Sequence, residues 1–442
     1  MQDEWTLGRD LEEGSKTVHV GIFDFTGAFR EKRLSSAAFE KALSGGWHFI
    51  DALPFWMHDE TCFAEKGFKD EAVAIDRESI RPYPFEPSSR LAVADYTGPS
   101  SAISPRALLK RVEAKANEAG FEAVAGVEFE TIFLNEDGTS LREKSWSGLV
   151  PALAHNRCWS GVAPAADSSF LADIHRHLEL AGISLDHHCM ELGPGCVEYC
   201  LAPKPIVQAA DDAALFKIFT KALARRRQMT ASFMAQLDDG FPGLGGHVSM
   251  SLRSLSGEPE FYDGNAPYGL SMTAKYFLGG VLELIPEMMA MFAPTVNSYR
   301  RLRPGNWAPR APNWGVGNYS CGVRVVAHSP QDTRLEFRLP GADVNAHVVA
   351  AMMLAAGLSG IEKKVDPGPP VEGNGRLADP SPGQELPTSL EESSCRFGSS
   401  TAARELFGSA FVDHYAAWCR AEAAAFHAHV SAFERARYLE SL

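Results

Sequence analysis

Four separate segments carry carboxylates, one histidine and several arginines in a pattern suited to holding divalent cations and phosphate beside an acyl group. Glu128 and Glu130 lie in GVEFETIFL, Glu191 and Glu198 in ELGPGCVEY, His247 in GLGGHVSMSL, and Arg334, Glu336 and Arg338 in RLEFRLP. Oxygen donors with a single imidazole suit Mg²⁺ or Mn²⁺ better than a closed zinc site. Arg301 in NSYRRLRPG, Arg324 in CGVRVV and Arg338 add guanidinium forks, which grip carboxylate or phosphate. Each feature alone has a plainer explanation: an E-x-E strand face is often solvated, and a histidine after glycines is often structural. Their company raises the chemical reading, because charges flanked by apolar residues are costly to bury unpaired.

The elements that must position these groups follow from periodicity. Alternation in a strand puts Glu128 and Glu130 on one face, and Arg334, Glu336 and Arg338 on one face of another. HVGIFDF reads as a strand that TGAFREKRL turns back from, and SSAAFEKALSGG as a helix. A turn-rich stretch ending at SAISP precedes PRALLKRVEAKANEAG, a helix opened by proline, so the domain boundary is expected near residue 100. Residues 208–235 begin as a long amphipathic helix, 264–290 read as a further helical region, and YFLGGVLELIPEMMAMFAP as a buried helix pair rather than a membrane span. GNGRLADPSPGQELPTSL reads as an ordered loop, after which helical sequence resumes towards the end of the chain.

The whole chain narrows the field. At 442 residues it exceeds one typical core, so one small and one large domain are expected. A formal charge of −14 argues against a broad nucleic-acid face. Eight cysteines without paired CxxC spacing, and no charged leader with an apolar run, point to a reduced cytoplasmic setting and no membrane role. GxxxxGK[ST], HRD, DFG, strand-linked GxGxxG and HExxH are absent, so the common nucleotide and zinc-protease sites are disfavoured.

The order GVEFE, ELGPGCVE, GLGGHVSMSL, NSYRRLRPG, RVV, RLEFRLP resembles the glutamine synthetase family over essentially the whole chain, and in particular its branch of gamma-glutamylpolyamine synthetase-like glutamate–amine ligases. The resemblance implies an α+β protein: a small β-grasp-like amino-terminal domain, residues 1–100, and a large catalytic domain of guanido-kinase-like fold, residues 101–442. It implies homo-oligomers of stacked rings, decamers or dodecamers, with active sites between subunits. Glu130, Glu191 and Glu198 would hold one metal, and Glu128, His247 and Glu336 the ion nearest the ATP phosphates. Arg301 would bind L-glutamate, Arg324 and Arg334 the phosphate region, and Arg338 both substrate and the transferring phosphoryl group. Gly243 would lie at the glutamate backbone and Ser251 near ATP.

Departures from the family pattern set the remaining expectations. Glutamine-forming members carry a flap glutamate where this chain has Trp307, which favours an organic amine, mono- or polyamine, over ammonia. Leu244 and Ser249 replace a small serine and a second histidine, implying an altered nucleotide pocket. Tyr319 stands where an arginine is usual, and Cys196, Cys189 and Met190 make the neighbouring segments less polar. Ordinary glutamine synthesis and a catalytically weak structural or regulatory role are the alternatives.

Overall fold

A computed structural model describes residues 17–64, 66–153, 157–380 and 383–442. The expectation of no charged leader concerns residues 1–16, outside the described residues, and the loop GNGRLADPSPGQELPTSL is described except for residues 381–382.

The chain builds two sheets in sequence. The first comprises β1 (Thr17–Phe23), β2 (Phe29–Ser35), β3 (Trp47–Ile50), β4 (Asp70–Ile75), β5 (Arg81–Pro82) and β6 (Ser89–Tyr96), in spatial order β2-β1-β6-β4-β3 with β5 beside β6. The fold-back foreseen after HVGIFDF is the antiparallel β1/β2 pair, whereas β1 and β6 run parallel. Val18, Val20 and Ile22 alternate towards a small core with Phe39, from the helix Ser36–Leu43, and Phe49. Ser35 caps that helix by accepting from the Ala38 N–H.

The second sheet has nine strands: β7 (Phe121–Leu134), β8 (Leu185–Met190), β9 (Cys196–Leu201), β10 (Lys204–Pro205), β11 (Thr230–Ser232), β12 (Val248–Ser254), β13 (Trp314–Val316), β14 (Val323–Val326) and β15 (Arg334–Phe337). Its order is β13-β14-β15-β12-β7-β9-β8, with β10 and β11 also on β7. Strand β7 is the hinge of the arrangement. Its first half pairs with β12 through Phe121–Val127 and its second half with β9 through Glu128–Ile132, so the site carboxylates begin where the partner changes.

Helices cover the opposite side. Ile206–Arg226 packs beneath β7, and Met272–Met288 runs against Ala346–Lys363. The latter two are apolar nearly all round and buried, which explains the long hydrophobic run seen in the sequence. Among the described residues no helix is long and apolar enough to cross a membrane. The helix expected from residue 264 starts only at Met272. Tyr268 has φ 64°, which breaks helical geometry, and Ser271 caps the helix by accepting from the Ala274 N–H.

The two helices approach closely at Gly280, where an added Cβ would sit 2.2 Å from the Ala356 carbonyl oxygen and 2.5 Å from Gly360 Cα. Neither neighbour is a flexible side-chain end. Gly280→Ala is therefore expected to cost at least the roughly 1–3 kcal/mol of ordinary overpacking, read as a lower urea midpoint with an unchanged slope.

The small sheet is pinned to the larger body of the chain by polar contacts. Arg106, at the start of the proline-opened helix Pro105–Glu118, donates to Asp76 at 2.8 Å and to Asp211 at 2.8 Å, and also pairs with Asp95. Asn345 Nδ2 donates to the Asp24 carbonyl at 2.9 Å, and Trp418 Nε1 to the Trp56 carbonyl at 2.9 Å.

Candidate active site

The outer face of the large sheet forms a cleft of about 1850 Å³ lined by Glu128, Glu130, Glu191, Glu198, His247, Arg324, Arg334, Glu336, Arg338 and Trp307. The alternation read from sequence places them there. Val127, Phe129 and Thr131 point into the core while Glu128 and Glu130 point out, and Arg334 and Glu336 share the corresponding face of β15. A smaller pocket opens beside it, lined by Gly243, Arg301 and Trp307 together with Glu130, His247 and Arg338. Ser251 lies outside the main cleft, in an adjoining groove that shares Glu128, His187, Asp332 and Arg334 with it.

One end of the cleft is a bonded set of opposite charges. Glu336 pairs with both Arg324 and Arg338, and its Oε1 lies 3.7 Å from His247 Nδ1. His247 Nδ1 is hydrogen-bonded to Glu128, while Nε2 is 3.4 Å from Arg301 Nη2. A guanidinium only donates, so Nε2 is the acceptor and the imidazole proton sits on Nδ1, facing Glu128. Burial alone would raise the Glu128 carboxyl, but the hydrogen bond from His247 and the charge of Arg338 hold it well below the usual carboxylate range. Burial pulls Arg301 down to about 10, against the opposing charge of Glu130. Arg301 Nη1 donates to the Leu339 carbonyl at 2.8 Å, which fixes the side chain.

The other end is acidic and little compensated. Glu198 on β9 stands opposite Glu130 on β7 and opposite Cys189 on β8. Burial, then the charges of Glu128, Glu130 and Glu191, push the Glu198 carboxyl well above its ordinary value. Burial also raises Glu130, whose Oε2 accepts from the Gly245 N–H at 2.9 Å. Three thiols reach these carboxylates: Cys158 Sγ is 3.6 Å from Glu191 Oε2, Cys189 Sγ 3.6 Å from Glu198 Oε1, and Cys200 Sγ 3.4 Å from Glu128 Oε2. Burial and the adjoining carboxylates raise the Cys189 and Cys200 thiols.

The donor chemistry fits divalent cations. Ligand atoms of Glu128, His247 and Glu336 come within 4.8 Å of one another, and so do those of Cys189, Glu191 and Glu198. The first trio is the set expected from sequence. In the second, Cys189 rather than Glu130 completes the gathered atoms, because Glu130 is drawn towards the Gly245 amide.

Several details were not foreseen. Tyr319 does not merely remove an arginine: its ring lies 4.1 Å below the Arg324 guanidinium and 5.2 Å from that of Arg338, and its carbonyl accepts from Arg338 Nε at 3.1 Å. It orients the two arginines that remain. Leu244 is wholly buried in the core, so the expectation that it reshapes the nucleotide pocket is corrected, while Ser249 lines the adjoining groove. Gly243 is needed for a different approach, since a Cβ there would lie 2.7 Å from Arg301 Cγ. Trp307 is half exposed with the Arg376 guanidinium 4.0 Å from its ring, and Trp159 lines the cleft beside Cys158. Cys158 and Trp159 carried no recognisable signal in their own short segment.

The family model described as "Glutamine synthetase, catalytic domain" matches residues 102–438. The chain belongs to the glutamine synthetase family. It is a ligase of that type. Among similar proteins, a glutamate–isopropylamine ligase of a Pseudomonas species is 32% identical over 96% of this chain and 95% of its own length. A gamma-glutamylethanolamide synthetase of Streptomyces coelicolor is 30% identical over 96% and 93%. The solved structure "Apo GmaS without ligand" superposes with a TM-score of 0.84 at 26% identity, covering 96% of this chain and 97% of that one. The α+β architecture, with its β-rich first domain and larger mixed domain, is thus that of the glutamine synthetase fold.

Proposed function

We propose that the protein joins the γ-carboxylate of L-glutamate to an organic amine, using ATP to activate that carboxylate as a γ-glutamyl phosphate. The observation that carries this reading is Trp307: an indole carrying Arg376 walls the junction of the small Arg301 pocket and the main cleft, at the position where a carboxylate would favour ammonium. The similar proteins include a glutamate–isopropylamine ligase, a gamma-glutamylethanolamide synthetase and a gamma-glutamylputrescine synthetase, which supports an amine acceptor.

In this reading Arg301 binds the glutamate, with Gly243 leaving room for the arginine's stem. Arg338 steadies the γ-carboxylate and the phosphoryl group passing to it, and Arg324 and Arg334 face the phosphates along the groove that leads to Ser251. Mg²⁺, or Mn²⁺, supplies charge neutralisation and orientation of the phosphate oxygens when held by Glu128, His247 and Glu336 at one pole and by Glu191 and Glu198, with Glu130 adjoining, at the other. The cleft must also keep water from the acyl phosphate, a task suited to Trp307 and Trp159. Assembly into stacked rings, decameric or dodecameric, with a neighbour closing each site, belongs to the same proposal, as does a cytoplasmic setting.

The test is ATP-dependent phosphate release with L-glutamate across ammonia, alkylamines, aromatic amines and polyamines, with mass detection of the product. A γ-glutamyl amide of an organic amine, with far less glutamine, is the expected result. Trp307→Ala should then raise KM for that amine by about tenfold, the loss of roughly 1–2 kcal/mol of apolar contact, with smaller change in kcat. A folded protein that yields no amide with any amine overturns the proposal.

A further inference from the structure

Two side-chain amides, Gln236 and Asn306, join the Arg301 pocket to the wall formed by Trp307. Asn306 directly precedes the indole and lines the small pocket with Gly243 and Arg301. Its Nδ2 donates to the Arg300 and Arg301 carbonyls at 3.0 and 2.9 Å, at the end of the short helix Ser298–Arg301, and to Gln236 Oε1 at 3.1 Å. Gln236 is buried, and its Nε2 donates to the Asp238 and Phe241 carbonyls at 2.8 and 2.6 Å, across the turn that leads to Gly243. Its backbone N–H and carbonyl meet the side-chain amide of Asn297, at the head of the Arg301 helix, both at 2.9 Å. Carbonyls only accept, so each side-chain nitrogen must face them and the Gln236 oxygen must face Asn306. On the outer side, the Arg376 guanidinium stacks on the indole and donates to the Asn306 carbonyl at 3.4 Å.

We propose that Gln236 and Asn306 are positioning residues for the acceptor, an amide clamp that seats Trp307 beside the Arg301 pocket and so sets which amine reaches the acyl group. The inference rests on the reading of Trp307 as the acceptor wall. Residues 303–305, just before it, are exposed, and Gly305 has φ 96°, so the turn offers little apolar packing to hold a half-exposed indole. The anchor is polar instead. Asn306 ties the indole's own backbone to the helix that carries Arg301, so acyl and acceptor sites keep one geometry. Arg301 has a separate tether in the Leu339 carbonyl, so loosening the clamp moves the acceptor wall more than the acyl site. A displaced wall lets water attack the γ-glutamyl phosphate, which returns glutamate and inorganic phosphate with no amide formed.

In the full-length protein, Asn306→Ala is expected to raise KM for the amine by about tenfold, the order set by one lost buried hydrogen-bonding group. KM for glutamate should stay nearly unchanged, and phosphate should be released in excess of amide. Asn306→Asp, which keeps the shape and loses the donors, should do the same. Gln236→Leu should add little to Asn306→Ala, because both break one unit. Arg303→Ala, on the same turn but reaching the Arg300 carbonyl and the exposed Asp239, should match the parent. Placement is also read without turnover: the Trp307 share of the fluorescence, taken by difference against Trp307→Phe, should become more open to acrylamide quenching in Asn306→Ala. Unchanged quenching, or parental amine KM with phosphate and amide still matched in folded Asn306→Ala, overturns the clamp. If Gln236→Leu fails to fold, the Asn306 variants decide alone. A parent that yields no amide with any amine, while quenching changes as expected, refutes the acceptor reading and with it the role in amine choice, but leaves the placement of Trp307 standing.

Discussion

Arg338→Ala is expected to fold and to lose turnover by roughly 1,000-fold, the range seen when a preorganised donor to developing charge is removed. The side chain is buried, its guanidinium paired with Glu336 and donating to the Tyr319 carbonyl, so its position is set before substrate arrives. Truncation removes a fork aimed into both the main cleft and the Arg301 pocket. Glu336 keeps its pairing with Arg324, which is why the fold should survive. Arg338→Lys should recover little. A lysine carries the charge but cannot reproduce a planar fork that satisfies Glu336, the Tyr319 carbonyl and a substrate oxygen together. Steady-state kinetics on the amine identified by product mass, with thermal unfolding as the folding control, check both variants. Near-parental kcat in Arg338→Ala would remove the arginine from the chemistry.

Tyr319 shows where sequence reasoning reached its limit. The chain reads as missing an arginine there, which by itself suggests a weakened phosphate site. In three dimensions the ring supports Arg324 and Arg338, and the loss of one charge is accompanied by firmer placement of two others. Alternation in GVEFETIFL and RLEFRL was enough to put Glu128, Glu130, Arg334 and Glu336 on the cleft face, because a strand's period is fixed by its backbone. The thiols were not legible in the same way. Cys189 and Cys200 meet carboxylates through the register of three strands, and register depends on cross-strand pairing that no single segment encodes. Cys158 comes from an irregular stretch with no period to read. Leu244 illustrates the converse error: within a glycine-rich motif it looked like a pocket residue, yet its side chain belongs to the core.

The second large effect concerns stability, and its sign follows from the acidic pole. Without a bound cation, Glu198 is held well above the ordinary glutamate value of 4.5 by burial and then by Glu128, Glu130 and Glu191, and Glu130 is raised by burial. A carboxyl whose folded-state value is raised favours the fold while it is protonated. That contribution is complete below about pH 4.5 and drains away as pH rises, because the unfolded chain ionises freely while the folded site resists. Glu128 acts in a separate window: its depressed value stabilises the fold above the ordinary glutamate range and is lost only on strong acidification. Between pH 5 and pH 9 the metal-free protein should therefore lose stability progressively on account of Glu198, with Glu130 acting in the same direction. A divalent cation reverses this, since it binds the ionised cluster and adds stability in proportion to its occupancy. The rise in Tm on adding a divalent cation should be small at pH 5 and several degrees at pH 8, and Glu198→Gln should flatten the metal-free pH profile while reducing the metal-induced rise. Differential scanning fluorimetry at fixed ionic strength measures both. An equal metal-induced shift at pH 5 and pH 8, unaltered by Glu198→Gln, would mean that the cation binds elsewhere.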